Sequence, residues 1–349
     1  MTSRKPTPTP ATESAPSTGP RAPRPVCLSH RSALEALFGL PATKRVPRST
    51  HTVALPIVPP TKADVDRACG QLSYLQAPTP SMPIHVLQAG KRHSARSSRI
   101  VSHSTTQRLP PLSLVLLGDG LYTTNAPLAF AQMASELTYA QLIELGYHLC
   151  GTYRCATQER PTTFNATPLT CIGELRSYLS ANQQLSGSAK AMRALAYVAD
   201  GSASPRETKA AILLSLPPFH GGYGLGVPQM NKEVKASEDA RRISGRRSLR
   251  CDMYWEGAKV DLEYQSKLFH QGEASRLSDS RRTNALIAMG YTVIGMTNDE
   301  LDSLTATDVI ADSLRKTLGL RRRTAVKNLR ERRVGLRQQL HLPIEPFLA

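Results

Sequence analysis

Acidic residues are scarce in this chain: 27 Asp and Glu stand against 44 Lys and Arg, a formal net charge of +17. An imbalance of that size speaks for polyanionic partners, nucleic acid first among them, and says little about fold. Cysteine is also sparse, six residues scattered over 349. That spacing excludes a disulfide framework, and the close pair Cys150 and Cys155 lacks the second pair a zinc site would need. Long apolar runs are missing as well. No stretch nears the roughly 20 residues of a membrane-spanning helix. The N-terminus is basic without the apolar core of a secretory signal, so a cytoplasmic protein with no membrane association is expected.

A chain this long can bury two cores. Residues 1–50 read as a basic tail rich in Pro, Ser and Thr, disordered because such a composition buries too little apolar surface to offset its ordering entropy. Within it, Ser32–Leu40 is a short amphipathic piece. Residues 51–160 read as an α+β domain. Its expected strands are IHVLQAG, SSRIVSH and the apolar runs of LPPLSLVLLGDGLYTTNAP, followed by helices LAFAQMASEL and YAQLIELGYHLCG, the second capped by Thr138 and stopped by Gly151. Its histidines, His85, His93 and His103, with His148, are too far apart in sequence to argue for shared ligation. Residues 161–188 read as a connector and 189–320 as a second α/β domain, a mixed sheet flanked by helices. A basic segment, 321–349, follows.

The second domain is organised around Arg250–Thr297, which begins RCDMYWEGAKVDLEYQSKLFH and continues DSRRTNALIAMGYTVIGMT. It reads as a β-hairpin turning at Glu256-Gly257, then a helix, then a strand. Side chains alternate across a strand, so Asp261, Glu263 and Gln265 share one face while Val260, Leu262 and Tyr264 take the other. An oxygen-rich row beside an apolar ladder suits a cation. Upstream, Ser204-Pro205 opens a helix with Glu207 at capping-box spacing. The glycine cluster HGGYGLGVP lacks the strand-turn-helix context of a phosphate loop and reads as a turn. RRISGRRSLR reads as a basic connector.

The order helix, strand, hairpin, helix, strand, with acids on the hairpin, resembles the PD-(D/E)XK nuclease superfamily and, within it, the very-short-patch-repair-like endonuclease domains. The resemblance rests on Asp252, on Glu263 with Gln265, on His270, on Asp279 with Arg282 and Leu286, and on Gly290-Tyr291-Thr292-Val293, over roughly residues 200–300. Ser204 to Glu207 matches the glutamate that these domains often carry on their first helix. The region around YTTNAPLAFAQMASELTYAQLIELGYHLCGTYR also resembles AbiEi-type antitoxins and regulators.

The resemblance implies a restriction-endonuclease-like sheet and a Mg²⁺- or Mn²⁺-dependent DNA endonuclease with no small-molecule cofactor. It implies Asp252, Glu263 and Glu207 as metal ligands, and Asp252, Glu263, Gln265 and His270 as the catalytic set. Gln265 stands where the superfamily carries lysine, and Lys267 either takes over that role or is a surface residue. Gly295 stands where an arginine is common. Arg282 would meet a phosphate or pair with Asp279. Asp252 and Glu263 could otherwise form surface pairs with the basic connector. Arg315–Arg337 holds ten Lys and Arg against Glu331 alone. Within and beside that run, Arg321, Arg322, Arg323, Lys327 and Arg330 are the expected phosphate contacts, with Lys267 and Arg282. The same charge suits a second expectation, a non-catalytic DNA-binding regulator or antitoxin-like protein on a nuclease fold.

Overall fold

The structure, a computed structural model, describes residues 24–41, 54–75, 78–90, 97–156, 161–265, 273–321 and 326–344, the side chains of 273–276 excepted. The chain is an α/β protein with two mixed sheets flanked by helices. Among the described residues no helix is long and apolar enough to cross a membrane.

The first sheet contains β1 (Val26–Leu28), β2 (Ile84–Ala89), β3 (Ile100–Thr105), β4 (Leu114–Gly118) and β5 (Leu121–Thr124). The strand order is β3-β2-β1-β5-β4, so the three-residue β1 is central, parallel to β5 and antiparallel to β2. Helices α1 (His30–Phe38) and α2 (Lys62–Cys69) follow β1. Val26, Leu28, Ala36, Val65, Ala68, Val86 and Leu121 pack into one core. Residues 24–41 therefore depart from the expected tail. Composition averaged over 50 residues hides the apolar triplet Val26-Cys27-Leu28, which becomes a strand because it finds backbone partners on both sides.

Next come α3 (Ala126–Met133), α4 (Tyr139–Cys150), a short ribbon of β6 (Tyr153–Arg154) and β7 (Thr163–Phe164), α5 (Ile172–Ala181), α6 (Ser188–Ala194) and α7 (Pro205–Ser215). In α3, α4 and α7 the capped start lies where the sequence signals it, whereas α2, with its Thr61–Asp64 capping box, is not among the expected elements. Thr138 and Gln141 form a reciprocal capping box on α4, and Asn125 accepts from the Leu128 amide on α3. Gly187, at φ +87°, is required for a different reason, since a Cβ there would lie 2.1 Å from the Ala131 carbonyl oxygen.

The second sheet, in the order β11-β10-β9-β8, comprises β8 (Gln229–Lys235), β9 (Ser248–Trp255), β10 (Val260–Gln265) and β11 (Thr292–Thr297). Strands β8, β9 and β10 are antiparallel, and α9 (Glu273–Ala288) carries the crossover to β11, which lies parallel to β10. The basic connector is shorter than expected, because it contains most of α8 (Glu238–Ser244) and the start of β9. Its first helix turn holds Glu238 and Asp239, and Ser237 caps it, so charge alone does not keep it irregular. Helices α10 (Asn298–Asp302), α11 (Leu304–Thr317) and α12 (Leu329–Gln339) complete the chain.

Val260 and Leu262 join the large core shared with α3, α4 and α7, while Cys251 and Tyr254 pack with Ala285 and Leu286 of α9. Arginines from the basic C-terminal run also serve the fold. Arg337 is fully buried and donates to the carbonyls of Leu301, Asp302 and Pro343 at 2.6, 2.6 and 2.7 Å. Arg333 pairs with Asp308 at 2.6 Å, and Arg332 donates to the Phe219 carbonyl at 2.9 Å.

Candidate active site

The carboxylates of the second sheet gather near a break in its regularity, although among the described residues no three of them bring one ligand atom each within 4.8 Å of the others. On β9, Cys251 faces the core with α9 whereas Met253 faces the core with α7, so the strict alternation of side chains fails at Asp252 between them. Pairing of β9 with β10 runs from Trp255 opposite Val260 to Met253 opposite Leu262. One step further, the Tyr264 amide donates to Asp252 Oδ2 at 2.9 Å, so a side-chain carboxylate accepts where a strand carbonyl would. This irregularity lets Asp252 act electrostatically on both Glu207 of α7 and Glu263 of β10.

Asp261 and Glu263 share one face of β10, as their spacing predicts, and both are buried, at 0 % and 4 % exposure. That rules out surface pairing of Glu263 with the connector. Arg282 reaches across from α9 to Glu263 Oε2 at 2.5 Å and donates to the Arg250 carbonyl at 3.2 Å, while Asp279, one turn away on its own helix, lies 3.9 Å from it. The expected Asp279–Arg282 pair is thus secondary to a cross-element one. The sequence offers the three-residue spacing but cannot show that a buried carboxylate competes for the same guanidinium.

Negative charge exceeds its compensation here. Among the described residues, both oxygens of Asp261 and Oε1 of Glu263 are buried outside regular hydrogen-bond geometry, with Asp261 lying against Glu263 and the Cys251 thiol. Burial raises the Asp261 carboxyl to about 6, with Asp252 adding to the effect. Glu263 is raised further by burial, by Asp252 and by Asp261, against the opposing pull of Arg282. Asp252 is also raised, chiefly by burial, with the Tyr264 amide, Arg282 and Arg250 opposing. Carboxyls so placed hold a shared proton or a cation, because like charges at close range in a poorly solvated site cannot all ionise.

Glu207 enters from the other side. Ser204 accepts from the Glu207 amide at 3.1 Å, but the returning half of the expected capping box goes elsewhere. Glu207 Oε2 accepts from the Ala203 amide at 3.1 Å and from Asn231 Nδ2 at 2.7 Å. Burial and then Asp252 raise this carboxyl too. Asn231 lies between Met230 and Lys232, which pair with Met253 and Cys251, so it is opposite Asp252; its backbone is left-handed at φ +49° and its Oδ1 is buried without a partner among the described residues. Asn231 does not stand out in the sequence, since a polar residue on an edge strand is ordinarily solvated. Its one signal is side-chain type, because Asn tolerates positive φ better than most.

Gln265 ends β10 exposed, opposite Thr297 and beside Gly295, where an added Cβ would lie 3.5 Å from Gln265 Nε2. His270 and Lys267 lie outside the described residues, as do Arg322 and Arg323. Arg321, Lys327 and Arg330 lie at or near the surface. Arg332, Arg333 and Arg337 are engaged as described above, so the basic run divides into solvated cations and structural ones.

The histidines depart from expectation. His30, His85 and His103 meet with Glu136, one ligand atom from each lying within 4.8 Å of the others. Residues this far apart in the chain reveal such a meeting only once β1, β2 and β3 are placed side by side. Burial, with His103 and His85, pushes the His30 imidazole down to about 3. His148 lies apart, against Tyr153 and the Cys155 thiol, and His93 is outside the described residues.

No protein-family model matches the chain, and neither do the curated proteins or the solved structures.

Proposed function

We propose that this protein is a Mg²⁺- or Mn²⁺-dependent DNA endonuclease of the PD-(D/E)XK kind, acting in the cytoplasm on a restriction-endonuclease-like sheet. The observation that carries the reading is the cluster of half-buried Asp252 with buried Asp261 and Glu263, in which, among the described residues, three carboxylate oxygens lie outside regular hydrogen-bond geometry. Hard oxygen donors in excess of nearby cations fit a small divalent cation better than a soft one. Asp252 and Glu263 would hold it, with Asp261 beside them and Glu207 drawn in through Asn231. The cation, when bound, supplies Lewis acidity to a water and to the scissile phosphate.

The chain's own residues have distinct tasks. Arg282 balances the carboxylates at rest and offers guanidinium donors to a phosphate oxygen when that pair loosens. Gln265, exposed at the end of β10, orients water or a phosphate oxygen through its amide without supplying charge. His270 is assigned by resemblance to proton transfer or a phosphate contact, and Lys267, where that pattern has glycine, either takes the lysine role or is a surface residue. Arg321, Lys327 and Arg330, with Arg322 and Arg323, hold the phosphate backbone irrespective of sequence.

One observation favours a second reading, a non-catalytic DNA-binding regulator. Arg282 already pairs with Glu263 at 2.5 Å, and the lysine position carries an uncharged Gln265. Plasmid nicking with Mg²⁺ or Mn²⁺ decides between them. The catalytic reading expects nicking by the wild type that is lost in the Asp252→Ala, Glu263→Ala double variant. Equal inactivity of both, with salt-sensitive DNA binding kept by both, leaves the regulator.

A further inference from the structure

The histidine cluster of the first sheet is a different kind of site from the carboxylate cluster of the second. Its members come from four separate elements: His30 from the first turn of α1, His85 from β2, His103 from β3, and Glu136 from the segment after α3. In the parallel pairing of β2 with β3, His85 stands opposite Val101 and His103 opposite Leu87, so the two histidines are two steps apart along the ladder. Their rings nevertheless lean together, bringing His85 Nδ1 and His103 Nε2 to 2.9 Å, and His103 stacks on His30 with centroids 3.6 Å apart.

The surroundings hold His30 in this arrangement at a cost. Its φ is +49°, a left-handed conformation that disfavours a side chain bearing a Cβ by about 1–2 kcal/mol. Three hydrogen bonds secure the junction. The His30 amide donates to Gln132 Oε1 at 3.1 Å, Ser32 Oγ accepts from the His85 amide at 3.0 Å, and Ser29 Oγ meets His30 Nδ1 at 3.1 Å. With Nδ1 engaged by Ser29, Nε2 remains as the His30 ligand atom, the outer-shell arrangement that orients imidazoles at metal sites. Strain held by surrounding structure is characteristic of functional positions. A cavity of about 550 Å³ opens onto His30 and His103, with Ser102, Ser104, Gln107 and Gln132 in its wall, and gives a hydrated ion a way in.

We propose that His30, His85, His103 and Glu136 form a Zn²⁺ site. Three imidazole nitrogens and one carboxylate oxygen make up a four-ligand set of the kind that zinc takes, and nitrogen donors select it over Mg²⁺ and Ca²⁺. An ion there would tie α1, β2, β3 and the α3–α4 segment together, bracing the short central strand β1 that precedes His30. None of these four residues belongs to the carboxylate cluster, so the two sites stand or fall separately.

The test is zinc binding by the full chain. Protein stripped by chelator, then reloaded with Zn²⁺ against a chromophoric competitor, is expected to bind one equivalent. The Asp252→Ala, Glu263→Ala variant should keep that equivalent, and His85→Asn, His103→Gln should lose it. Ser29→Ala, which leaves all four ligands, should weaken binding about 10- to 100-fold. Because the histidine variants could unfold, Co²⁺ substitution of the wild type supplies a second readout, with intense visible bands expected for tetrahedral coordination. Absence of a bound equivalent in the wild type overturns the proposal. So does zinc kept undiminished by folded His85→Asn, His103→Gln protein, or its loss from the Asp252→Ala, Glu263→Ala variant alone.

Discussion

Replacing Asp261 by Asn is expected to stabilise the metal-free protein at pH 8. Asp261 is fully buried, among the described residues neither oxygen has a partner in regular hydrogen-bond geometry, and burial raises its carboxyl from 3.8 to about 6 against the opposing contacts of Glu263 and Cys251. A carboxyl whose folded value exceeds its unfolded one favours the fold in its protonated form. That contribution is complete below about pH 4 and is lost as pH climbs through 6. At 1.36 kcal/mol for each tenfold, the loss at pH 8 is about 3 kcal/mol as an upper bound. Asparagine removes the charge at nearly the same volume and keeps a polar group, now with an N–H donor, against Glu263. Urea denaturation in EDTA should therefore show the variant more stable than wild type by up to about 3 kcal/mol at pH 8, and little different at pH 4. Added Mg²⁺ should narrow the gap, because an ion stabilises wild type through the carboxylate that the variant lacks. A variant less stable than wild type at pH 8 without metal would refute the reasoning, since it would mean that the ionised carboxylate is stabilised by its surroundings.

Arg337→Met should lower stability by about 3 kcal/mol or more, because it strands the carbonyls of Leu301, Asp302 and Pro343 at about 1–3 kcal/mol each when buried, and the urea midpoint reads it. Gly187→Ala forces a Cβ to 2.1 Å from the Ala131 carbonyl at φ +87° and should cost at least about 2 kcal/mol, visible as a fall in melting temperature. Changing Arg321, Lys327 and Arg330 together to Gln should weaken DNA binding and flatten its log–log salt dependence by up to about three, at about 0.9 for each phosphate no longer neutralised; an unchanged slope would place the DNA surface elsewhere. The Arg332→Gln change, at an arginine engaged with the Phe219 carbonyl, should instead act mainly on stability, read by the same denaturation.

Local signals decided the secondary structure wherever the code is local. The capping residues Asn125, Thr138 and Ser204 mark their helices because each satisfies an amide within three residues. Alternation along Val260–Gln265 showed which side chains share a face, and this needs only the pleat of one strand. So the hairpin, its acids, the crossover helix and β11 were all legible. The first sheet's centre was not, because Val26–Leu28 is a strand only by virtue of β2 and β5, which lie many residues further on.

The sites divide along the same line. Sequence alone determined that Asp261 and Glu263 face one way, that Asp252 stands on the neighbouring strand, and that the chain is strongly basic. Tertiary structure decided that Arg282 serves Glu263 before Asp279, that Glu207 turns to Asn231 and Ala203, and that Arg337 is a buried brace and not a surface cation. It also brought His30, His85 and His103 around Glu136. The physical reason is common to all four cases. A side chain's partner is whatever donor or acceptor competes best once the chain is packed, and burial multiplies the cost of the wrong choice. Residue type and spacing name the contestants within a few positions of one another, but those from distant strands are introduced only by the fold.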